Sequence, residues 1–174
     1  MKNLTYIAIL ILFCFGCKKD VFDPNNPNVA LFVQQIKSGT YDCYQQDENG
    51  EKLWIVMPKF TKDHIQSLLD FSKDTSHIMI FPTNPISSGT PFPYDRQYII
   101  LGECLLWTVE GIRNSSGFGS LNPILIETTD DQFKSLNGIE ILIVRDLYQD
   151  WWTNYKNQNW KEKNPLERKP YLWR

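Results

Sequence analysis

Between Arg96 and Arg113 the chain carries Tyr98, Ile99, Ile100, Leu101, Cys104, Leu105, Leu106, Trp107, Val109 and Ile112. Read as a helix at about 100° per residue, these cover nearly the whole circumference, and a helix apolar all round is buried on most sides. The rest of the domain must therefore wrap it. Arg96, Glu103 and Glu110 recur every seven residues along the same segment, so they drift only about 20° per step and form one narrow charged stripe. Arg113 lies one turn beyond Glu110. A charge entering such an interior needs a partner, because an unpaired buried carboxylate costs on the order of several kcal/mol. The stripe thus predicts that Glu110 pairs with Arg113 or another basic group. It also predicts that Glu103 and Glu110 point toward a proline-rich loop at residues 81–94, where Asn84, Ser87 and Ser88 would supply hydrogen bonds. Those six residues, Asn84, Ser87, Ser88, Glu103, Glu110 and Arg113, are the candidate binding residues. The competing reading is a network that only fixes the loop to the helix.

The elements around this helix follow from periodicity and punctuation. Val29, Phe32, Val33 and Ile36 after Asn26-Pro27 have the i, i+3, i+4, i+7 spacing of an amphipathic helix over about 27–37, closed by Gly39. Residues 40–58 suit a loose β-hairpin turning at Asn49-Gly50. Thr61 is a candidate N-cap for a second helix with Ile65, Leu68 and Leu69 inward and Asp63, Ser67, Asp70 and Asp74 outward. Prolines 82, 85, 91 and 93 make Phe81 to Tyr94 a long non-helical loop, and Asn114 to Pro123 reads as another turn region. The last helix spans about Ile139 to Tyr155, with an ambiguous, β-branched start. The fold class expected is mainly α: a helical domain over 29–157 of about four helices, with long Pro-rich loops and a minor β-hairpin. A tail over 158–174 is expected to pack Trp160, Leu166, Tyr171 and Trp173 on it.

The N-terminus reads as an address. Met1-Lys2-Asn3 is followed by ten uninterrupted apolar residues, Tyr6 to Phe15, and then by Gly16-Cys17-Lys18-Lys19. That is a secretory signal pattern over 1–16, too short for the about 20 apolar residues a membrane span needs. Cys17 is the expected lipidation site, and residues 17–28, with Pro24 and Pro27, the expected spacer. The protein would hang from a membrane outside the cytoplasm, with the outer membrane the expected place. Cys43 and Cys104 then remain, and they could pair or persist as buried thiols.

Several segments together resemble an uncharacterised family of Bacteroidota lipoproteins. They are Gly39-Thr40-Tyr41, Met57-Pro58-Lys59-Phe60-Thr61, Phe81-Pro82-Thr83-Asn84-Pro85-Ile86-Ser87-Ser88, Leu101 to Arg113, Trp151-Trp152 and Asn164-Pro165-Leu166. The resemblance implies a domain of unknown function with a mainly helical, HEAT-like build, and it supplies no catalytic residues.

Catalytic vocabulary is thin. No G-x-S-x-G or P-loop occurs, and Ser116-Gly117-Phe118-Gly119 lacks the third glycine of a dinucleotide site. His64 and His77 stand 13 apart, outside the compact metal spacings, and Asp63, Asp70 and Asp74 read as a solvated helix face. A net charge of -2 gives no general pull on nucleic acid, and 42% hydrophobic residues with ten prolines exclude both a disordered chain and a coiled coil. Trp151-Trp152 could stack on sugars but falls on the apolar helix face, which favours core use. No catalytic residue, metal or cofactor is assigned. Two functions remain: a non-catalytic binding or scaffold module for an envelope protein or glycan, or an envelope glycan hydrolase using Glu103 and Glu110. The second requires carboxylates about 10.5 Å apart along the helix axis to converge on one cleft.

Overall fold

The computed structural model describes residues 22–46, 48–88, 92, 93, 95–129 and 132–174. Cys17 and the signal segment lie outside these residues.

Helix α1, Val29–Ser38, starts where the Asn28 side chain accepts the Leu31 N–H at 3.0 Å and ends where Gly39 turns left-handed at φ 67°. It buries Val29, Phe32, Val33 and Ile36. Phe32 is the hub of an aromatic cluster, with the rings of Tyr41, Phe60, Phe22 and Phe81 at 5.0, 5.3, 5.8 and 5.8 Å. Phe22 belongs to the segment expected as spacer, so from that residue on the chain already packs on the domain. Strands β1, Tyr44–Gln46, and β2, Lys52–Ile55, form the hairpin, turning through Gly50 at φ 82°.

A single 3₁₀ turn, Lys62–His64, leads into α2, Ile65–Phe71, which buries Ile65, Leu68 and Leu69. His64 is a clip rather than a ligand. Its Nδ1 accepts the Thr61 N–H at 3.0 Å, which leaves Nε2 to donate to the Pro27 carbonyl at 3.2 Å. Strand β3, His77–Ile78, pairs antiparallel with β4, Ile99–Ile100, and helix α3, Leu101–Asn114, follows directly. The apolar run therefore begins as strand, and the helix starts five residues later than Arg96. Every residue from Leu101 to Gly111 is buried.

Strands β5, Leu125–Thr129, β6, Gln132–Ser135, and β7, Tyr171–Trp173, make a three-stranded antiparallel sheet in the order β6-β5-β7. Helix α4, Gly138–Tyr155, begins at a capping box in which Asn137 accepts from Ile139 and Glu140 while Glu140 accepts the Asn137 N–H. Its buried face is Ile141, Val144, Tyr148, Trp151 and Trp152, and the two indoles close on Trp160 at 6.2 and 5.9 Å. Both tryptophans thus serve the core.

The expected mainly α, HEAT-like fold is corrected by this architecture. Four helices alternate with seven short strands among the described residues, which makes an α/β mix rather than stacked helix pairs. The physical reason lies in the hydrogen bonding. Ile124, Ile126, Thr128 and Thr129 are β-branched, and Asn122 and Ile124 exchange backbone bonds with Arg174, so the final residues complete a sheet instead of lying loosely on helices.

Candidate functional site

Glu103 is the third residue of α3 and is wholly buried. Its Oε2 meets Arg96 Nη2 at 2.5 Å, and its Oε1 accepts the Leu125 N–H at 2.7 Å. The carboxylate thus joins the segment before β4 to the first residue of β5. Burial pushes its pKa up to about 7, while Arg96 and the N–H groups of Leu125 and Ile100 pull the other way. Burial also raises the neighbouring Cys104 thiol well above its ordinary value. Cys43 and Cys104 are both buried free thiols.

Glu110, two turns on, is held by different groups. Arg113 grips it with two donors, Nε to Oε2 at 3.0 Å and Nη2 to Oε1, as the one-turn spacing predicts. The Tyr148 hydroxyl donates to Oε2 at 3.0 Å, and Asn114 Nδ2 lies 3.3 Å from Oε1. Arg113 Nη1 reaches on to the Lys161 carbonyl at 3.0 Å. Burial, with Glu110 beside it, raises the Tyr148 phenol well above its usual value.

The expectation that Asn84, Ser87 and Ser88 of the proline-rich loop bond the two glutamates is therefore corrected: among the described residues, no hydrogen bond joins Asn84, Ser87 or Ser88 to Glu103 or Glu110. Asn84 Nδ2 donates to the Ser120 carbonyl at 3.2 Å, Ser87 Oγ donates to Asn122 Oδ1 at 2.8 Å, and Ser88 is exposed. The loop is fixed by the turn region 120–122 instead. An arginine meets each carboxylate, with the Leu125 N–H beside Glu103 and the Tyr148 hydroxyl beside Glu110, and these donors already occupy the carboxylate oxygens. Among the described residues, the hydrogen bonds between members of the six candidates are those joining Glu110 to Arg113.

The open site lies elsewhere. The 57–62 segment, the second half of α3 with Ser115 and Gly117, and Trp160-Lys161 enclose a groove of about 420 Å³. Met57, Phe60, Ile112 and Trp160 give it an apolar floor, and Gly111 lets the 117–118 backbone close to about van der Waals contact, since a Cβ there would meet Gly117 at 3.0 Å. Lys59 and Lys62 stand on one bank and Lys161 on the other, all exposed. These are the ionisable residues of the lining, and among the described residues none of the three has a carboxylate within ion-pair distance. Lys161 Nζ donates to Ser115 Oγ at 2.7 Å and lies 5.4 Å from the Trp160 ring centroid. The groove was not foreseen from sequence. The signal for it was the pairing of lysine with aromatic residues in Lys59-Phe60-Thr61-Lys62 and Trp160-Lys161.

Among the described residues, no group of three or more His, Cys, Asp or Glu could hold a metal ion, and no helix is long and apolar enough to cross a membrane. No curated protein and no solved structure matches the chain. One family model does, over residues 23–174, which takes in the aromatic hub of α1, the groove and the closing strand β7 alike. The chain belongs to the family described as a domain of unknown function, DUF4943.

Proposed function

We propose that this chain is a lipid-anchored module of the cell envelope that binds a partner through the lysine-rimmed groove and performs no catalysis. One observation carries the binding reading. The groove joins an apolar floor to three exposed lysines that have no carboxylate partner among the described residues, whereas Glu103 and Glu110, the carboxylates an acid–base mechanism would use, are engaged inside the fold. Pockets of this size, apolar with a few convergent polar groups, are typical ligand sites. A glycan hydrolase built on Glu103 and Glu110 draws no support from the geometry, because neither lines the groove and each is held by arginine.

Anchoring is supported by the ten-residue apolar run and the Gly16-Cys17 stop. Phe22 already touches Phe32 and Pro24 accepts the Lys59 N–H at 2.8 Å, so five residue steps from Cys17 would hold the domain within about 20 Å of the lipid. The outer membrane is the proposed location.

Metabolic labelling with a fatty acid tests the anchor: wild type takes up label and sediments with membranes, and Cys17→Ala does neither. Retention of label by Cys17→Ala would remove the anchor. For the groove, amide chemical-shift mapping with a panel of peptides, uronic-acid oligosaccharides and fatty acids should move resonances of Lys59–Lys62 and Trp160–Lys161 with at least one class.

A further inference from the structure

We infer that the groove's ligand is an acidic stretch of polypeptide, carboxylate side chains interspersed with apolar ones. The inference rests on the reading of the groove as a binding site and adds the chemistry of what it takes. Charge complementarity supplies the sign: the ionisable lining residues Lys59, Lys62 and Lys161 are all cationic. Their placement supplies the number of charges. Lys59 and Lys62 come from one lining segment and Lys161 from another, so a ligand that meets all three bears more than one anion, unlike a single-headed acyl carboxylate.

The floor and the remaining polar atoms choose between polypeptide and acidic glycan. Sugar hydroxyls would need several hydrogen-bonding partners around the floor, and each of the three lining hydroxyls already holds one bond within the fold. Thr108 Oγ1 donates to the Cys104 carbonyl at 2.9 Å, Ser115 Oγ accepts from Lys161, and Thr61 Oγ1 lies 3.0 Å from His64 Nδ1. Met57, Phe60 and Ile112 instead offer apolar surface that suits leucine- or phenylalanine-like side chains. An alternating acidic and apolar segment meets both demands, with its apolar side chains on the floor and its carboxylates on the rim. Rim charges of this kind act mainly through steering and are screened by salt.

The test uses the full-length protein, with the chain from residue 22 beside it, and a fluorescein-labelled peptide of alternating glutamate and leucine as probe. Anisotropy should show binding that weakens with salt, and a lysine-for-glutamate counterpart should not bind. Lys59→Glu with Lys62→Glu should weaken binding roughly tenfold or more, while Lys59→Arg with Lys62→Arg and the distant Lys73→Glu should leave it unchanged. All these side chains are exposed, so folding is not at stake. Unchanged binding in the charge-reversed variant would overturn the inference. Two parallel arms apply oligogalacturonate and phosphatidylglycerol vesicles. If either moves the groove resonances and the acidic peptide does not, the polypeptide inference falls while the binding-module reading stands. If none of the probes moves them, both fall.

Discussion

The Tyr148 hydroxyl donates to Glu110 Oε2 at 3.0 Å and, at the same oxygen, accepts the Trp173 indole N–H at 2.8 Å. One buried phenol thereby connects α3, α4 and the last strand of the chain. With Arg113 extending from Glu110 to the Lys161 carbonyl, the network reaches four separate segments. Its satisfaction is what makes a carboxylate in the core tolerable, since a half-satisfied polar network is worse than an apolar one.

Tyr148→Phe keeps the ring and removes that oxygen, leaving the Trp173 indole without its acceptor and Glu110 short of one donor. The expected loss is roughly 2 kcal/mol in urea unfolding. Combined with Trp173→Phe it should cost less than the sum, with a coupling energy of about 1 kcal/mol. Additive effects would mean the two side chains do not act through the shared oxygen.

Removing residues 158–174 tests how far the tail is structural. Leu125, Ile126 and Glu127 pair with Trp173, Leu172 and Tyr171, and Leu166 is buried while Trp160 closes on Trp151 and Trp152. Loss of that apolar contact and of one sheet edge should lower the melting temperature by on the order of 10 °C or more. An unchanged melt would show that β7 contributes nothing to the domain.

How much of this was legible in the sequence depends on the length of each pattern. The long periodic segments were: α1 and α4 begin and end within about two residues of the periodicity, and the turn chemistry of Asn49-Gly50 named the β1–β2 hairpin. The Arg113–Glu110 pair followed from one-turn spacing. Strands of two to five residues carry too little periodicity to read, so β3, β5, β6 and β7 were missed and the helical content was overestimated. Ile99 and Ile100 fit a helix and a strand equally well locally, and only pairing with His77 and Ile78 decides between them. The groove escaped because its banks come from residues about 100 positions apart, 59–62 and 160–161, and no local pattern records such proximity.

Gly102 is where α3 meets the end of α2 without room for a methyl group. Its N–H donates to the Asp74 carbonyl at 2.9 Å, and a Cβ would lie 2.3 Å from the Ser72 carbonyl oxygen. Both obstacles are backbone, so nothing flexible can move aside. Gly102→Ala should cost at least about 2 kcal/mol despite alanine's better helix propensity, measured by denaturant melts. A stabilised variant would show that the α2–α3 contact yields readily.

The pH dependence of stability should carry the mark of Glu103. Its folded pKa of about 7 stands above the ordinary 4.5 because burial disfavours the charged form. Below about 4.5 the carboxyl is protonated in both folded and unfolded chains. As pH rises from about 4.5 to about 7 the unfolded chain ionises first, so the folded state holds the extra proton and stability falls, by up to on the order of 3 kcal/mol, then levels off. Glu103→Gln removes this titration. It should be less stable than wild type at about pH 5 because the amide nitrogen cannot accept the second of the two hydrogen bonds that Arg96 and the Leu125 N–H donate, yet its own stability should not decline over that window. The gap between the two proteins, followed by urea unfolding at a series of pH values, should therefore narrow as pH rises from about 5 to about 7. A gap that widens over the same range would mean that the Arg96 guanidinium outweighs burial, that Glu103 stays ionised throughout, and that the ion pair joining the β4 entrance to β5 strengthens toward neutral pH.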